Sequence, residues 1–137
     1  MIRIGIICPS EIAFRRFLPA LQQAGKDFQF TAIGIASPEE WFGDLSNISK
    51  EQIENQQIRE RAKAQTFTDC YGGEIIVGYS NLVSSEIIDA AYIPLPPALH
   101  HKWAKMALDS GKHVFVEKPS TTSFAETKDL VELASAK

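Results

Sequence analysis

The sequence predicts an α/β fold, a doubly wound parallel sheet in a single domain of 137 residues. Short apolar runs rich in β-branched residues alternate with segments of helical periodicity, which favours βαβ units with helices on both faces. No repeats, low-complexity segments or internal linkers interrupt this alternation. In such a sheet ligands bind beyond the carboxyl ends of the strands, so the residues that follow each strand are the first candidates for function.

The first half of the chain predicts two strands with a helix between them. Residues 2–7 form a β-branched run, and residues 30–36 form a second one. The helix between them has one apolar face at positions i, i+3, i+4 and i+7, formed by Phe14, Phe17, Leu18 and Leu21. Pro19 falls inside this pattern and should kink or restart the helix, because proline lacks a backbone donor. Gly25 ends it.

Residues 37–71 are the least regular part of the sequence. Residues 37–47 predict a loop or broken turn. Ser49 with Gln52 three residues later forms a capping box, which starts a helix or helices reaching about Cys70. Because this segment is mostly polar, we interpret it as a solvated surface and not as a binding surface.

From Gly72 onward the elements are shorter and more regular. Residues 74–77 and 87–93 predict strands, residues 80–86 a short helix, and the prolines at 94, 96 and 97 end the second strand. The segment "ALHHKWAKMALDSG" predicts a helix, "HVFVEKP" a strand, and Ser123 with Glu126 the capping box of a final helix.

Composition excludes several classes of function. The net charge of −3 and pI near 5.6 offer no electrostatic attraction for nucleic acid or an anionic membrane. Cys8 and Cys70 form neither a CxxC pair nor a disulfide framework, which favours a reducing, cytoplasmic location. No apolar run has membrane-spanning length, and we expect neither a signal peptide nor any segment before the fold. We expect no metal, because the adjacent His100 and His101 diverge on a helix.

The end of the first strand is where a dinucleotide-binding fold holds its pyrophosphate on glycines. Cys8, Ser10 and Ala13 occupy the three glycine positions, and only Ala13 meets the usual allowance for a small residue. Pro9 offers no N–H to a phosphate. The start of the following helix, with free N–H groups near residues 11–13, still predicts an anion site, to which the arginines at 15 and 16 would add charge. An ordinary strand–helix turn explains this stretch equally well.

The end of the second strand bears on the choice of dinucleotide. A carboxylate there would bind the 2′-hydroxyl of NAD and repel a 2′-phosphate. The sequence has Ser37 and Pro38, with no acid before Glu39 and no arginine. Ser37 could donate to a 2′-phosphate, which slightly favours NADP over NAD. Two alternatives stay open: Glu39 or Glu40 folds back to the ribose, or this is a plain Ser-Pro turn.

The ends of the last two predicted strands carry His100 and the tripeptide Glu117-Lys118-Pro119. His100 is more typical of a packing residue than of a catalyst. Lys118 directly follows a predicted buried strand, and burial would lower the pKa of its ammonium group toward neutral pH. Glu117 would oppose that shift or bind a ribose hydroxyl, while Pro119 restricts Lys118 and could form a cis bond. A surface lysine in an extended turn is the alternative.

The stretch "YIPLPPALHHKWAKMALDSGKHVFVEKPSTTS" resembles the glucose–fructose oxidoreductase, inositol dehydrogenase and rhizopine catabolism (Gfo/Idh/MocA) family. Its P-x-x-x-H, A-L-x-x-G-K-H-V and E-K-P patterns are specific to that family. The likeness covers nearly the whole chain except residues 41–58, which resemble an insertion. Pro97 stands where the family usually has asparagine, and it lacks asparagine's hydrogen-bonding groups.

The resemblance implies a Rossmann fold and an NAD(P)-dependent oxidoreductase that transfers hydride between nicotinamide and a sugar, polyol or related hydroxyl or ketone. It implies a catalytic role for Lys118, which would assist proton transfer at the substrate hydroxyl. Taken with the strand ends above, the candidate cofactor-binding residues are Cys8, Ser10, Ile12, Ala13, Ser37, Pro96, His100, Glu117, Lys118 and Pro119.

The resemblance also implies a second domain that carries most of the substrate pocket and the oligomer interface. We therefore expect residues 1–137 to be a cofactor-binding domain without its C-terminal substrate domain, inactive alone and part of a homo-oligomer when full-length. The expected partner is a small carbohydrate-like substrate. A stand-alone, non-catalytic nucleotide-binding or interaction module is the alternative.

Overall fold

Five parallel strands form the predicted sheet in a computed structural model that describes residues 1–137. The order in the sheet is β3-β2-β1-β4-β5, so the order reverses between β1 and β4. The carboxyl ends of β1 and β4 therefore flank the switch point at which doubly wound folds bind their ligands. The strands are β1 Ile2–Ile7, β2 Phe28–Ile35, β3 Glu74–Val77, β4 Ala90–Ile93 and β5 His113–Val116.

Helices connect all the strands and follow the last one. None of them has the length and apolar character needed to cross a membrane. They are α1 Leu18–Gln23, α2 Pro38–Phe42, α3 Lys50–Tyr71, α4 Tyr79–Ser84, α5 His100–Asp109 and α6 Phe124–Ala136, with 3₁₀ turns at Gly25–Asp27 and Pro97–Leu99.

The predicted disturbance at Pro19 is confirmed. A π-helical segment, Ala13–Phe17, leads into α1, and Pro19 lies in the first turn of α1. Proline cannot donate to the carbonyl one turn earlier and its ring crowds that carbonyl, and the wider π-helical turn accommodates both effects.

The prediction of a loop at residues 37–47 is wrong for α2. Ser37 caps this short helix: its Oγ accepts from Glu40 N at 3.2 Å, and its own N–H donates to Glu40 Oε1 at 2.9 Å. This capping box and Pro38 in the first turn stabilise a helix too short for apolar periodicity to reveal. The strand predicted at 87–93 begins only at Ala90, and the helix predicted at 80–86 ends at Ser84.

Two apolar cores lie on opposite faces of the sheet. One packs beneath α1 and α3 and includes Ile6, Leu18 and Phe67; the other packs beneath α4 and α5 and includes Ile93, Leu82 and Trp103. Gly34 of β2 permits the close approach of α4, because a Cβ there would lie 2.9 Å from Leu82 Cδ2. Close helix–sheet packing in turn brings the start of α4 next to the carboxyl ends of β1 and β2.

An apolar groove of about 440 Å³ lies between α1 and strands β4 and β5. Phe115, 58% exposed, contributes to its wall together with Ile2, Phe17, Phe28 and Tyr92. Phe17 stacks on Tyr92 with ring centroids 3.8 Å apart. This part of the sheet face is partly open to solvent.

Candidate active site

The turn after β1 has the backbone shape that a glycine fingerprint requires, although it carries side chains. Cys8 has φ of +87°, a region that L-residues other than glycine rarely adopt. Its N–H donates to Gly34 O at 3.1 Å, and Ser10 N donates to Cys8 O at 2.9 Å. The chain thus keeps the tight turn of the fingerprint, with a cysteine in the strained position.

Ser10 starts the following helix by accepting a hydrogen bond from Ala13 N at 3.2 Å. One of the N–H groups predicted to be free for an anion is therefore engaged by the Ser10 hydroxyl. Ala13 is fully buried, which fits the requirement for a small residue where helix and strand pack closely. Ile12 is 44% exposed at the same helix start.

The Cys8 thiol points inward to Tyr79 at the start of α4. Burial raises the pKa of the Cys8 thiol, and a hydrogen bond with Tyr79 offsets part of that rise. Burial and the neighbouring Cys8 also raise the pKa of the Tyr79 hydroxyl. Both groups are therefore neutral at pH 7, and neither supplies a charged nucleophile.

Glu40 is committed to the start of α4 and not to a ribose. Its carboxylate accepts from Tyr79 N at 2.7 Å and Ser80 N at 3.0 Å, in addition to Ser37 N. Gly78, the residue preceding α4, has no side chain to cap that helix. Burial acts to raise the pKa of Glu40, but the backbone donors outweigh it and hold the pKa below its usual value. The alternative in which Glu40 folds back to a ribose is therefore excluded in this conformation.

Helix α3 contributes residues that the sequence interpretation missed. The solvated-surface prediction is wrong for one face, because Gln56, Glu60, Ala64 and Phe67 are buried. Gln56 and Gln57 donate to Ala36 O at 3.2 and 2.9 Å, which ties α3 to the end of β2. The four buried residues of α3 have helical spacing, but two of them, Gln56 and Glu60, are polar. A search for hydrophobic periodicity therefore could not reveal this buried face.

A groove of about 590 Å³ separates the β1 turn from α3. Cys8, Ser10 and Glu11 line one side, and Lys63 and Thr66 line the other. Lys63 Nζ lies 2.9 Å from Glu60 Oε2, an ion pair whose angles fall outside those of a hydrogen bond. At the edge of the groove, Arg15 pairs with Glu11 at 3.0 Å. The groove combines cations, hydroxyls and a helix start, a set of groups suited to phosphate oxygens.

His100 joins the two loops at the far side of the switch point. The ring is fully buried, with Nε2 against Leu95 O and Nδ1 2.9 Å from Pro119 O and 3.2 Å from Ser120 O. No ring nitrogen is left for direct contact with a cofactor. His100 therefore positions the loops after β4 and β5, consistent with the packing role expected from the sequence. Pro96, in the loop after β4, is exposed.

The loop after β5 separates the side chains of Glu117 and Lys118. Tyr92 OH donates to Glu117 Oε1 at 2.6 Å, and burial followed by that contact raises the pKa of Tyr92. Lys118 is exposed, so the expected burial of its side chain is wrong for this chain. The Lys118–Pro119 bond is cis, the geometry that the sequence allowed.

The predicted site residues therefore lie along one edge of the sheet, but they do not all meet. Cys8, Ser10 and Ala13 form the β1 turn, and Ser37 follows β2. Lys118 follows β5, two strands from β1, a separation of about 10 Å at ordinary strand spacing. No group of three or more His, Cys, Asp or Glu side chains is arranged to hold a metal ion.

Comparison with known proteins agrees with this geometry. The model of the oxidoreductase family with an NAD-binding Rossmann fold, GFO_IDH_MocA, matches residues 2–137. The dTDP-3,4-didehydro-2,6-dideoxy-alpha-D-glucose 3-reductase of Saccharopolyspora spinosa is 32% identical over 99% of this chain and 34% of its own length. The reductase of the same name from Streptomyces violaceoruber is 38% identical over 97% of this chain and 32% of its own.

Solved structures give the same result. KijD10, a 3-ketoreductase from Actinomadura kijaniata in complex with NADP and TDP-benzene, has a TM-score of 0.75 and 36% identity over 98% of this chain and 34% of its own. The 137 residues thus span about a third of the length of these relatives. Both the predicted α/β fold and the predicted resemblance are confirmed. The chain belongs to the Gfo/Idh/MocA oxidoreductase family and forms its NAD-binding Rossmann fold.

Proposed function

We propose that the chain is the cofactor-binding half of an NADP(H)-dependent oxidoreductase that transfers hydride at a carbonyl or hydroxyl carbon of a sugar-like substrate. The observation that carries this proposal is the turn after β1, where Cys8 adopts a glycine-type conformation at the switch point of the sheet. The family assignment and the sugar reductases among the relatives support it.

The residues at the sheet edge fit a dinucleotide. The helix start at Ser10 and the groove beside it suit the phosphates, and the loop that carries Lys118 suits the nicotinamide end. When bound, the nicotinamide supplies or accepts the hydride. We assign the phosphates to Cys8, Ser10, Ile12 and Ala13, the adenosine ribose to Ser37, and the nicotinamide end to Pro96, Glu117, Lys118 and Pro119.

Lys118 is the proposed catalytic residue, which holds or receives the proton of the substrate hydroxyl as hydride moves. Its side chain is exposed, and water lowers the efficiency of such a proton transfer. We propose that in the whole protein a C-terminal substrate domain covers this loop, excludes water and brings a small carbohydrate-like substrate to Lys118. We further propose that the whole protein is a homo-oligomer.

NADP is favoured over NAD by the surroundings of Ser37. The half-buried carboxylate of Glu40 is held by three backbone N–H groups and is not free to accept from a ribose hydroxyl. A structure of one relative contains NADP, and another relative is named D-xylose 1-dehydrogenase (NADP(+)) 2.

Titration of the 137-residue chain with NADPH and with NADH, followed by nicotinamide fluorescence, tests the proposal. We expect saturable binding, with NADPH bound more tightly. Ser10→Asp places a negative charge at the helix start. It should weaken the binding of NADPH and of NADH by about 10-fold or more, because the carboxylate repels the pyrophosphate. A chain that is folded by circular dichroism and binds neither nucleotide would contradict the proposal.

A non-catalytic binding module is the second candidate, and the exposure of Lys118 favours it. The two candidates differ in what Lys118→Ala does to the whole protein. For the enzyme we expect turnover of a sugar substrate to fall by about 100-fold or more. Unchanged turnover would remove Lys118 from the mechanism, and absence of any turnover in the wild-type protein would favour the module.

A further inference from the structure

Lys63 reaches the proposed nucleotide groove from α3, a helix to which the sequence assigned no binding role. It lines the groove opposite Cys8 and Ser10, and its side chain is 58% exposed. Thr66, three residues later on the same helix, lines the groove beside it. The Lys63 ammonium therefore faces the β1 turn across the groove, while the Thr66 hydroxyl donates to Lys63 O at 2.7 Å.

Glu60 explains why Lys63 is held at this position. The Glu60 side chain is only 4% exposed, and its Oε2 has no hydrogen-bond partner. A buried carboxylate needs a counter-ion, and the Lys63 ammonium at 2.9 Å supplies it. This attraction draws a long, flexible side chain toward the groove. The other charges on the groove, Glu11 and Arg15, neutralise each other.

The residues directly after β2 offer no competing cation. Ser37 is followed by Pro38, Glu39 and Glu40, and the Glu40 carboxylate caps α4. A phosphate on the adenosine ribose would therefore find no cation among the residues directly after β2, and its counter-charge would come from α3. Of the two cations that line the groove, Arg15 is paired with the exposed Glu11, whereas Lys63 is paired with the buried Glu60.

From these contacts, and resting on the proposed function, we infer that Lys63 binds the 2′-phosphate of NADP(H), with buried Glu60 as its resting counter-ion. The cofactor preference of this chain would then be set by α3 and not by the loop after β2. A phosphate would share the ammonium with Glu60, which remains its nearest anion.

Matched variants of the chain test this inference. Lys63→Gln should weaken the binding of NADPH by about 10-fold or more and the binding of NADH by less than about 3-fold, because only NADPH carries the 2′-phosphate. Lys63→Arg, which keeps the positive charge, should keep most of the preference for NADPH over NADH. Glu60→Gln should raise the ratio of NADPH to NADH affinity, because the phosphate no longer competes with a carboxylate for the ammonium. Arg61→Gln, exposed on the same helix, is the matched control and should change neither affinity.

Salt provides an independent readout. The dissociation constant of the wild-type chain should rise more steeply with salt for NADPH than for NADH, and Lys63→Gln should remove that difference. If wild type binds NADPH and Lys63→Gln keeps both the preference and the salt dependence, the inference is wrong while the proposed function stands. A fall in preference with Glu60→Gln would overturn the role of Glu60. Wild type that binds neither nucleotide contradicts the proposed function itself.

Discussion

Cys8 shows how one residue can meet a backbone requirement that normally selects glycine. Its φ of +87° carries a conformational cost, and the half-buried thiol packs in return against the apolar core that contains Tyr79. The turn geometry is thus imposed by the surrounding strands, whose backbone holds Cys8 through Gly34 O.

Substitutions at Cys8 should separate the backbone effect from the side-chain effect. Cys8→Gly should leave the free energy of unfolding within about 1 kcal/mol of wild type, because relief of strain offsets the lost thiol contacts. Cys8→Val should cost about 2–3 kcal/mol, because a β-branched side chain fits poorly at positive φ. Urea unfolding of both variants measures this, and equal stabilities would show that the turn is not strained.

His100 is the residue that fastens the Lys118 loop. A neutral imidazole has one N–H, so His100→Leu would remove the donor to one of the two carbonyls that the ring faces, Leu95 O or Pro119 O, together with the packing of a fully buried ring. We expect a loss of about 2–3 kcal/mol in the free energy of unfolding. His113→Gln, at an exposed position, should change it by less than about 0.5 kcal/mol. Equal effects in urea unfolding would contradict the positioning role.

At the scale of elements, α2 acts as a brace between the ends of β2 and β3. Its Glu40 carboxylate caps both its own helix and α4, so three N–H groups from two helices converge on one side chain. Helix α3, in turn, is tied to the end of β2 through Gln56 and Gln57. These contacts hold α3, which carries Lys63 and Thr66 on one side of the groove, against the end of β2.

The Glu40 contacts predict a specific dependence of stability on pH. Because the pKa of Glu40 is lowered from 4.5 in the folded chain, its contribution is complete above that value and is lost as pH falls through the lowered pKa. Glu40→Gln should cost about 1–2 kcal/mol at pH 7, and the difference from wild type should shrink at pH 3. Urea unfolding at both pH values measures it; a difference that grows toward pH 3 would contradict the assignment.

At the scale of the whole molecule, the chain leaves an apolar groove on one sheet face. Phe115 is 58% exposed within a wall of aromatic and aliphatic side chains, an arrangement typical of a surface that another polypeptide segment covers. Relatives about three times as long have residues available for such a cover.

The groove should bind an apolar fluorescent dye in the 137-residue chain. Phe115→Lys should reduce the dye fluorescence by about half or more, because it places a charge in the apolar wall. Phe124→Lys, at a residue 84% exposed on α6 and outside the groove, is the control and should have little effect. Equal loss of fluorescence in both variants would show that the dye binds elsewhere.

The sequence alone determined the alternation of strands and helices, the capping box at Ser49, the disturbance at Pro19 and the family, because each of these depends on residues close together in the chain. The placement of the candidate site residues followed from this alternation, because the carboxyl ends of parallel strands lie at one edge of the sheet.

Only the tertiary structure decided what each side chain at that edge contacts. Glu40 caps a helix 39 residues away, His100 bonds a loop 19 residues away, and Lys63 faces a turn that lies more than 50 residues earlier in the chain. Local sequence patterns carry no information about such long-range contacts, because the contacts depend on how the helices pack across the sheet. The exposure of Lys118 likewise depends on which chain segments cover its loop, and not on the residues beside it.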